Sequence, residues 1–135
     1  MRISLLLTLL FVSTMSFAQT VKELVQRGDQ FYGKKDYKKA LEAFLQALDQ
    51  NPDDAAVNLK VGMSYLYSET KSKAARFIDK AYRLNPNIND EINYHLGVAF
   101  QNTNEFKKAI EQFEQFKKKR KNLAEIADKK SRSAA

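Results

Sequence analysis

The chain has 135 residues, of which 23 are Lys or Arg and 16 are Asp or Glu, so its formal net charge is +7. This length fits one compact domain, and only 4 Gly and 2 Pro in a body dense in Ala, Leu, Lys, Glu and Gln favour an all-α structure. Because the chain has no Cys, disulfides and thiolate sites are excluded, and the single His95 excludes a site built from several histidines.

The first 18 residues have the pattern of a secretory signal peptide. Arg2 gives a positive start, residues 3–12 are an apolar run, and Ser16 and Ala18 put small residues before a cut between Ala18 and Gln19. An uncleaved anchor is the alternative, but a membrane span needs roughly 20 apolar residues and this run is too short. We therefore expect an exported protein, periplasmic or secreted, with no transmembrane segment after cleavage.

A 34-residue repeat is the strongest pattern in the chain. Small, aromatic and apolar positions recur at a shift of 34 residues and then of 35, in copies that span 21–54, 55–88 and 90–123. These positions are Gly28, Phe31, Ala40, Phe44, Ala47 and Pro52 in the first copy, Gly62, Tyr65, Ala74, Ile78, Ala81 and Pro86 in the second, and Gly97, Phe100, Ala109 and Phe113 in the third. The extra residue falls in the turn at 86–89, where a loop absorbs an insertion at little cost.

Each copy is predicted to form two antiparallel helices. In the first copy, apolar residues at helical spacing form one stripe over 24–32 and another over 40–48, separated by the polar stretch 34–36. Asn51-Pro52 and Asn85-Pro86 end the second helices, because proline disfavours helical geometry in the residue before it.

Small residues are predicted to set the packing of each helix pair. The two helices of a pair would approach most closely at a Gly on the first helix and an Ala on the second, and these repeat-packing residues are Gly28, Ala40, Gly62, Ala74, Gly97 and Ala109. Such pairs cannot bury their apolar faces alone, so the pairs must stack, and about three are needed for stability.

This pattern resembles the tetratricopeptide repeat, and the resemblance covers residues 21 to about 123. It implies an α-solenoid of three helix hairpins. Three positions depart from the family pattern: Arg27 replaces an apolar residue, Phe116 an Ala, and Lys121 the terminal Pro.

A C-terminal capping helix is predicted after the third copy. Asn122 and Glu125 have the spacing of a capping box, so a short helix from Leu123 to about Lys130 would cover the exposed edge of the third copy. Residues 131–135 have nothing to bury, and we expect them to fray, so that 123–135 is a capping helix and tail.

The resemblance implies that the first helices of the three copies line a concave groove that holds a partner peptide or helix. By register, the partner-binding residues would be Tyr32, Leu59, Met63, Tyr67, Tyr94, Val98 and Gln101. Some members of the family grip a terminal carboxylate in this groove. Of the corresponding positions here only Lys60 and His95 are suitable, so this clamp is not supported.

A narrower resemblance concerns runs such as residues 62–68, 80–86 and 94–101, which are similar to the N-terminal repeats of certain Gram-negative envelope proteins. Those repeats precede an OmpA-type domain, and some belong to type IX secretion machinery. This chain has no such later domain, so peptidoglycan binding is not implied.

These patterns predict a non-catalytic scaffold of the cell envelope that binds a protein partner, without cofactor, metal or nucleic acid. The acid pairs Asp53-Asp54 and Asp90-Glu91 could suggest acid–base catalysis, but acids at helix starts are favoured by the helix dipole. An alternative is an accessory role in an OmpA-like or type IX secretion complex. Another is binding of an acidic polymer through the basic end at 117–132, for which a solvated helix end is the simpler interpretation.

Overall fold

The structure, a computed structural model, describes residues 19–134, so the predicted signal peptide lies outside the described residues. This part of the chain is helical and contains no strand, which confirms the all-α class. Its helices are α1 (Val21–Gly33), α2 (Tyr37–Gln50), α3 (Ala55–Leu66), α4 (Ala74–Leu84), α5 (Ile92–Asn102) and α6 (Phe106–Ala134), with one 3₁₀ turn at Lys71–Lys73.

The helices form three hairpins that stack in one direction. Within each hairpin the neighbouring helices pack together, as α1 on α2, α3 on α4 and α5 on α6, and α2 and α4 each pack on the first helix of the next hairpin. One core cluster joins the first hairpin to the second around Phe44 and Val61, and another joins the second to the third around Ile78 and Leu96. The predicted α-solenoid of three hairpins is confirmed.

Local sequence signals fix the helix ends. The Thr20 hydroxyl accepts a hydrogen bond from the Glu23 amide while the Glu23 carboxylate accepts one from the Thr20 amide, which completes a capping box at the start of α1. Asp36 and Asp54 cap α2 and α3 through their side chains. The helices α2 and α4 end immediately before the two Asn-Pro pairs, because the helix cannot continue into proline.

The glycines of the first helices lie against the second helix of the same hairpin. A Cβ atom added to Gly62 would lie 2.5 Å from Ile78 Cγ1 and 3.0 Å from the Ile78 amide nitrogen. At the equivalent positions, a Cβ on Gly28 would meet the Phe44 ring, and one on Gly97 would meet the Phe113 ring. Ala40, Ala74 and Ala109, on the second helices, are all buried.

The second hairpin turns differently from the other two. The first and third hairpins turn through three residues each, and the middle residues, Lys35 and Asn104, both adopt a positive φ near 60°. In the second hairpin, residues 67–73 make the connection and include the 3₁₀ turn. Lys71 stands at the position that Tyr37 and Phe106 occupy in the other hairpins, so the second hairpin has no aromatic residue there.

The predicted separate capping helix is wrong. The helix α6 runs without a break from Phe106 to Ala134, so Asn122 lies inside it and Leu123 and Ile126 remain exposed. The expected frayed tail is also helical as far as Ala134. The physical reason is that the third copy has Lys121 in place of the Pro that ends the second helices of the other copies, and the residues after it are good helix formers.

The two ends of the stack differ in polarity. Arg27, at the position of the buried Val61 and Leu96, donates hydrogen bonds to the side-chain oxygens of Gln19 and Gln46 at 2.8 and 3.3 Å. At the other end Ile110 is 62% exposed, although the equivalent Leu41 is buried under the next hairpin. The first end is therefore polar and the last end apolar.

Candidate functional site

We call the seven predicted partner-binding residues the first-helix face, because six of them lie on α1, α3 and α5 and Tyr67 directly follows α3. None of the seven is fully buried. Tyr67 and Tyr94 are 50% and 44% exposed, and Gln101 is also exposed. Tyr32, Leu59, Met63 and Val98 are half-buried. The face therefore presents aromatic and apolar surface from all three hairpins.

Three tyrosine rings form a cluster at the end of this face where the hairpins turn. The Tyr37 and Tyr67 rings stack with centroids 5.7 Å apart, and Tyr32 meets both rings edge-on at 5.4 and 6.5 Å. Burial, together with the neighbouring Tyr67 and Tyr37, raises the pKa of Tyr32 to about 12. The cluster ties the first hairpin to the second and leaves one side of Tyr67 open to solvent.

An open cleft of about 910 Å³ lies beside this tyrosine cluster, between the turns of the first two hairpins. Its walls include Tyr37, Tyr67 and Leu41, with Lys35 and Lys71 at the turns. The cleft lies beside the longer connection of the second hairpin, so this departure from the repeat pattern creates a concave surface that a partner can contact.

An ion pair crosses the first-helix face between α1 and α3. Lys60 Nζ lies 2.6 Å from Asp29 Oδ1, and the same ammonium group lies 5.7 Å from the centroid of the buried Phe44 ring. Both side chains of the ion pair are partly exposed, so its contribution to stability is small, of order 0 to 1 kcal/mol. Its main effect is to fix Lys60 in place, engaged with an acid of the same chain.

At the third hairpin the face is built on aromatic residues of α6. The Tyr94 ring lies 5.9 Å from the Phe113 ring and 5.4 Å from the Phe116 ring. Phe116 is the residue that replaces the family's Ala, and the equivalent Ala47 and Ala81 are fully buried. The large ring at this position supports Tyr94 from below, so Tyr94 stands out from the surface in a defined orientation.

The middle of the face is aliphatic. Leu59 and Met63 on α3 and Val98 on α5 pack against the core cluster that joins the second and third hairpins. They belong partly to the core and partly to the surface. A flexible Met between two aromatic clusters suits a contact surface that adapts to its partner.

The structure also locates the two residues considered for a carboxylate clamp. Lys60 is engaged with Asp29, and His95 is half-buried with its Nε2 3.9 Å from Glu91 Oε2. Burial lowers the pKa of His95 despite the opposing effect of Glu91, which favours the neutral ring at pH 7. Neither side chain offers a free positive charge to a carboxylate.

The acid pairs at the helix starts have structural partners. Asp54 Oδ1 accepts a hydrogen bond from the Val57 amide at 3.0 Å, which confirms its capping role. Asp53 pairs with Lys80 at 3.0 Å, and Asp90 lies 3.8 Å from Lys119. At the start of α5 the N-cap residue is Glu91, whose side chain makes no capping hydrogen bond, and in the turn before it Asn89 Oδ1 accepts a hydrogen bond from the Glu91 amide at 2.7 Å.

Sequence reasoning missed Tyr37 as a part of the site. A signal was available, because Tyr37 and Phe106 occupy equivalent repeat positions and Lys71 breaks the series. Its contact with Tyr67, however, depends on how two hairpins stack.

Within residues 19–134, no group of three or more His, Cys, Asp or Glu side chains could hold a metal ion. Over the same residues, no helix combines the length and the apolar composition needed to cross a membrane.

Sequence profiles identify the repeats. Residues 21–54 match one profile described as tetratricopeptide repeat, and residues 92–122 match a second profile of the same description. These two segments are tetratricopeptide repeats. The second hairpin, whose turn departs from the pattern, lies between these two matches and stacks on both as a third tetratricopeptide hairpin. A search of curated protein sequences found no match.

Solved structures with the same tetratricopeptide fold resemble the chain at low sequence identity. MamA from Desulfovibrio magneticus RS-1 is 24% identical with a TM-score of 0.67, over 76% of this chain and 57% of that one. The Arabidopsis OM64 tetratricopeptide domain is 19% identical with a TM-score of 0.68, over 85% and 96%. The second such domain of Spaghetti (RPAP3), bound to the HSP90 peptide SRMEEVD, is 19% identical with a TM-score of 0.65, over 74% and 92%. The chain thus spans little more than half of the MamA structure, and these likenesses concern the fold.

Proposed function

We propose that this protein is a non-catalytic interaction scaffold that binds a segment of another protein on its first-helix face. The observation that carries the proposal is the pair of exposed tyrosines, Tyr67 and Tyr94, each held in place by a second aromatic residue. Exposed aromatic anchors on a rigid support are typical of the residues that dominate binding energy at protein interfaces.

The bound segment would be an extended peptide or a helix that reaches from the tyrosine cluster to Tyr94. Its apolar side chains would contact Leu59, Met63 and Val98 in the middle of the face. The Spaghetti domain, with a similar fold, holds a peptide, which supports this mode of binding. Because Lys60 is engaged with Asp29, recognition here would depend on apolar and aromatic contacts rather than on a terminal carboxylate.

Photo-crosslinking tests where the partner binds. A photo-reactive amino acid at Met63 should crosslink to a partner in extracts of the source cell. The same group at Glu42 or Glu111, which are exposed on the second helices, should not. Equal crosslinking from all three positions would contradict a specific first-helix face.

A matched pair of variants tests the energetic role of the face. Met63→Lys with Tyr94→Ala should weaken binding of the crosslinked partner by at least tenfold, because truncating an aromatic anchor commonly costs more than about 2 kcal/mol. The control variant carries Glu42→Ala and Gln115→Lys on the second helices. Circular dichroism verifies that both variants are folded, and equal binding by the two variants would refute the assignment.

We also propose that the protein is exported and acts in the cell envelope, as an independent scaffold or as an accessory component of an OmpA-like or type IX secretion complex. The support is the amino-terminal pattern, with its positive start, apolar run and small residues before Gln19. Expression in a Gram-negative host followed by N-terminal sequencing tests it. A mature chain that begins at Gln19 in the periplasmic fraction is expected, and an intact chain in the cytoplasm would refute export.

A further inference from the structure

The positive charge of the chain is concentrated in the free end of α6. Residues 117–134 contain eight Lys or Arg and two Asp or Glu, a net charge of +6. Residues 19–116 contain fourteen of each sign and are neutral overall. A neutral scaffold thus carries one strongly basic helical segment, which we call the basic arm and define as residues 117–134.

The basic arm projects beyond the stacked hairpins. Lys119 Nζ lies 3.8 Å from Asp90 in the turn before α5, and residues 120–133 are all exposed. At 1.5 Å per residue, the free part of the helix is about 22 Å long. No side chain of the described chain covers it, so its charges are available to a partner.

The cations of the arm divide between two sides of the helix. On the side that continues the α5-facing surface, Lys119 approaches Asp90, and the Arg120 guanidinium lies 5.6 Å from the Phe116 ring centroid. On the opposite side, helical spacing places Lys117, Lys118, Lys121 and Lys129 within a wedge of roughly 120°. Among the described residues, no ion pair involves these four lysines, whereas Arg132 in the same wedge pairs with Asp128 at 2.9 Å.

We propose that the free side of the basic arm docks the protein on the anionic surface of a phospholipid bilayer. Four unpaired lysines on one side of a straight helix match a flat, negatively charged surface. With Arg132 this side carries five cations, and Glu125 and Asp128 on the same side leave it a net charge of +3. Clusters of four to eight basic residues on a helix are typical of segments that bind anionic lipids, and each Lys or Arg near the surface contributes about 1 kcal/mol. Leu123 and Ile126 lie on the other side, so the helix rests on the headgroups by charge alone and does not insert.

The two sites are independent, since the first-helix face and the basic arm share no residue. The arm would hold the scaffold at a membrane surface while the face remains available to the protein partner. Loss of partner binding in the Met63 and Tyr94 variant therefore leaves this inference unaffected. Loss of vesicle binding by a variant of the basic arm likewise leaves the proposed protein-binding function unaffected.

Vesicle co-sedimentation tests the proposal with the full chain. The probes are vesicles of phosphatidylcholine alone and vesicles with about 30% phosphatidylglycerol, at 50 and 300 mM NaCl, where screening weakens binding strongly. Because the amino-terminal apolar run is common to all variants, it cancels in the comparison. We expect stronger binding to the anionic vesicles than to phosphatidylcholine alone, with most of this difference lost at the higher salt.

Two charge variants distinguish vesicle binding by the basic arm from vesicle binding by the net charge of the whole chain. The arm variant has Lys117, Lys118, Lys121 and Lys129 all changed to Gln, which keeps helix propensity. It should lower the partition coefficient by about two to three orders of magnitude. The control variant changes Lys22, Lys34, Lys38 and Lys107, four exposed lysines elsewhere, to Gln and should retain most of the binding.

Three outcomes would overturn the proposal. One is equal loss of binding in the two charge variants, which would mean that total charge is responsible. Another is loss of binding after Leu123→Ser with Ile126→Ser, which would mean insertion of the opposite side. The third is binding to soluble linear polyphosphate without binding to anionic vesicles, which would identify an acidic polymer as the ligand.

Discussion

Replacement of Gly62 by Ala should destabilise the fold, although alanine is the better helix former. The added Cβ would lie 2.5 Å from Ile78 Cγ1, 3.0 Å from the Ile78 amide nitrogen and 3.3 Å from the Ala74 carbonyl oxygen. Two of these atoms belong to the backbone of α4, so a side-chain rotation cannot relieve the overlap. The helices α3 and α4 would have to separate, which disturbs the core on both sides of the second hairpin.

The magnitude follows from two opposing terms. Overpacking a close-packed core costs about 1 to 3 kcal/mol, whereas Gly to Ala in a helix interior gains about 0.8 to 1 kcal/mol. The difference spans about 0 to 2 kcal/mol of lost unfolding free energy, and we expect a value in the upper half of that range because two of the three overlapped atoms belong to the backbone. Gly97→Ala should cost less, because the three atoms nearest to its added Cβ all belong to the half-buried Phe113 ring, which can move.

Gly33 provides the matched control, since nothing lies within 4 Å of a Cβ added there. Gly33→Ala should be neutral or stabilise the protein by up to about 1 kcal/mol. Urea unfolding followed by circular dichroism at the helix band measures all three variants. A Gly62→Ala protein as stable as the unmodified chain would refute the packing argument.

A double-mutant cycle identifies the contact responsible. Ile78→Ala alone should cost about 2 to 5 kcal/mol because it leaves a cavity in the core. In the Gly62→Ala background the same change should cost about 1 kcal/mol less, since it also removes the overlapping Cγ1 atom. Strict additivity of the two changes would show that the destabilisation has another origin.

Three further predictions concern the stack end and two titrating groups. Leu41→Lys should cost about 2 to 5 kcal/mol, because it removes a buried leucine side chain from the core between the first two hairpins, whereas Ile110→Lys at the open end should change stability by less than about 0.5 kcal/mol. Urea unfolding of both variants checks this. Because the pKa of His95 is lowered in the folded protein, the unfolded chain binds more protons, so stability should fall as pH drops from the ordinary histidine value of 6.5 to the lower folded pKa. His95→Gln removes this titration, so the melting temperature of the unmodified chain, relative to that of His95→Gln, should fall as the pH drops through this range. A difference that does not change with pH would contradict the lowered pKa of His95. In a spectrophotometric titration, one tyrosine should ionise near pH 12, and Tyr67→Phe should lower that value only in part, because burial is the larger cause of the shift.

The candidate site was only partly predictable from the sequence. Repeat register located Tyr94 on a first helix, but its exposure depends on Phe116, which supports it from α6. The stack of Tyr37 on Tyr67 joins two hairpins, and its geometry follows from the way they pack together. Contacts between hairpins depend on their relative rotation, which no local sequence pattern specifies.

The sequence by itself determined the number of hairpins, their order and most helix ends. The reason is that these features depend on local physics: apolar spacing, small residues at fixed intervals, capping side chains, and proline after Asn51 and Asn85. Whether α6 continued or restarted was decided by the tertiary structure. The sequence allows both courses, because Lys121 in place of Pro lets the helix continue and the pattern at Asn122 favours a new start. Within the described residues Leu123 and Ile126 remain exposed, so a separate helix would gain no packing, and the existing helix continues and leaves its basic end exposed.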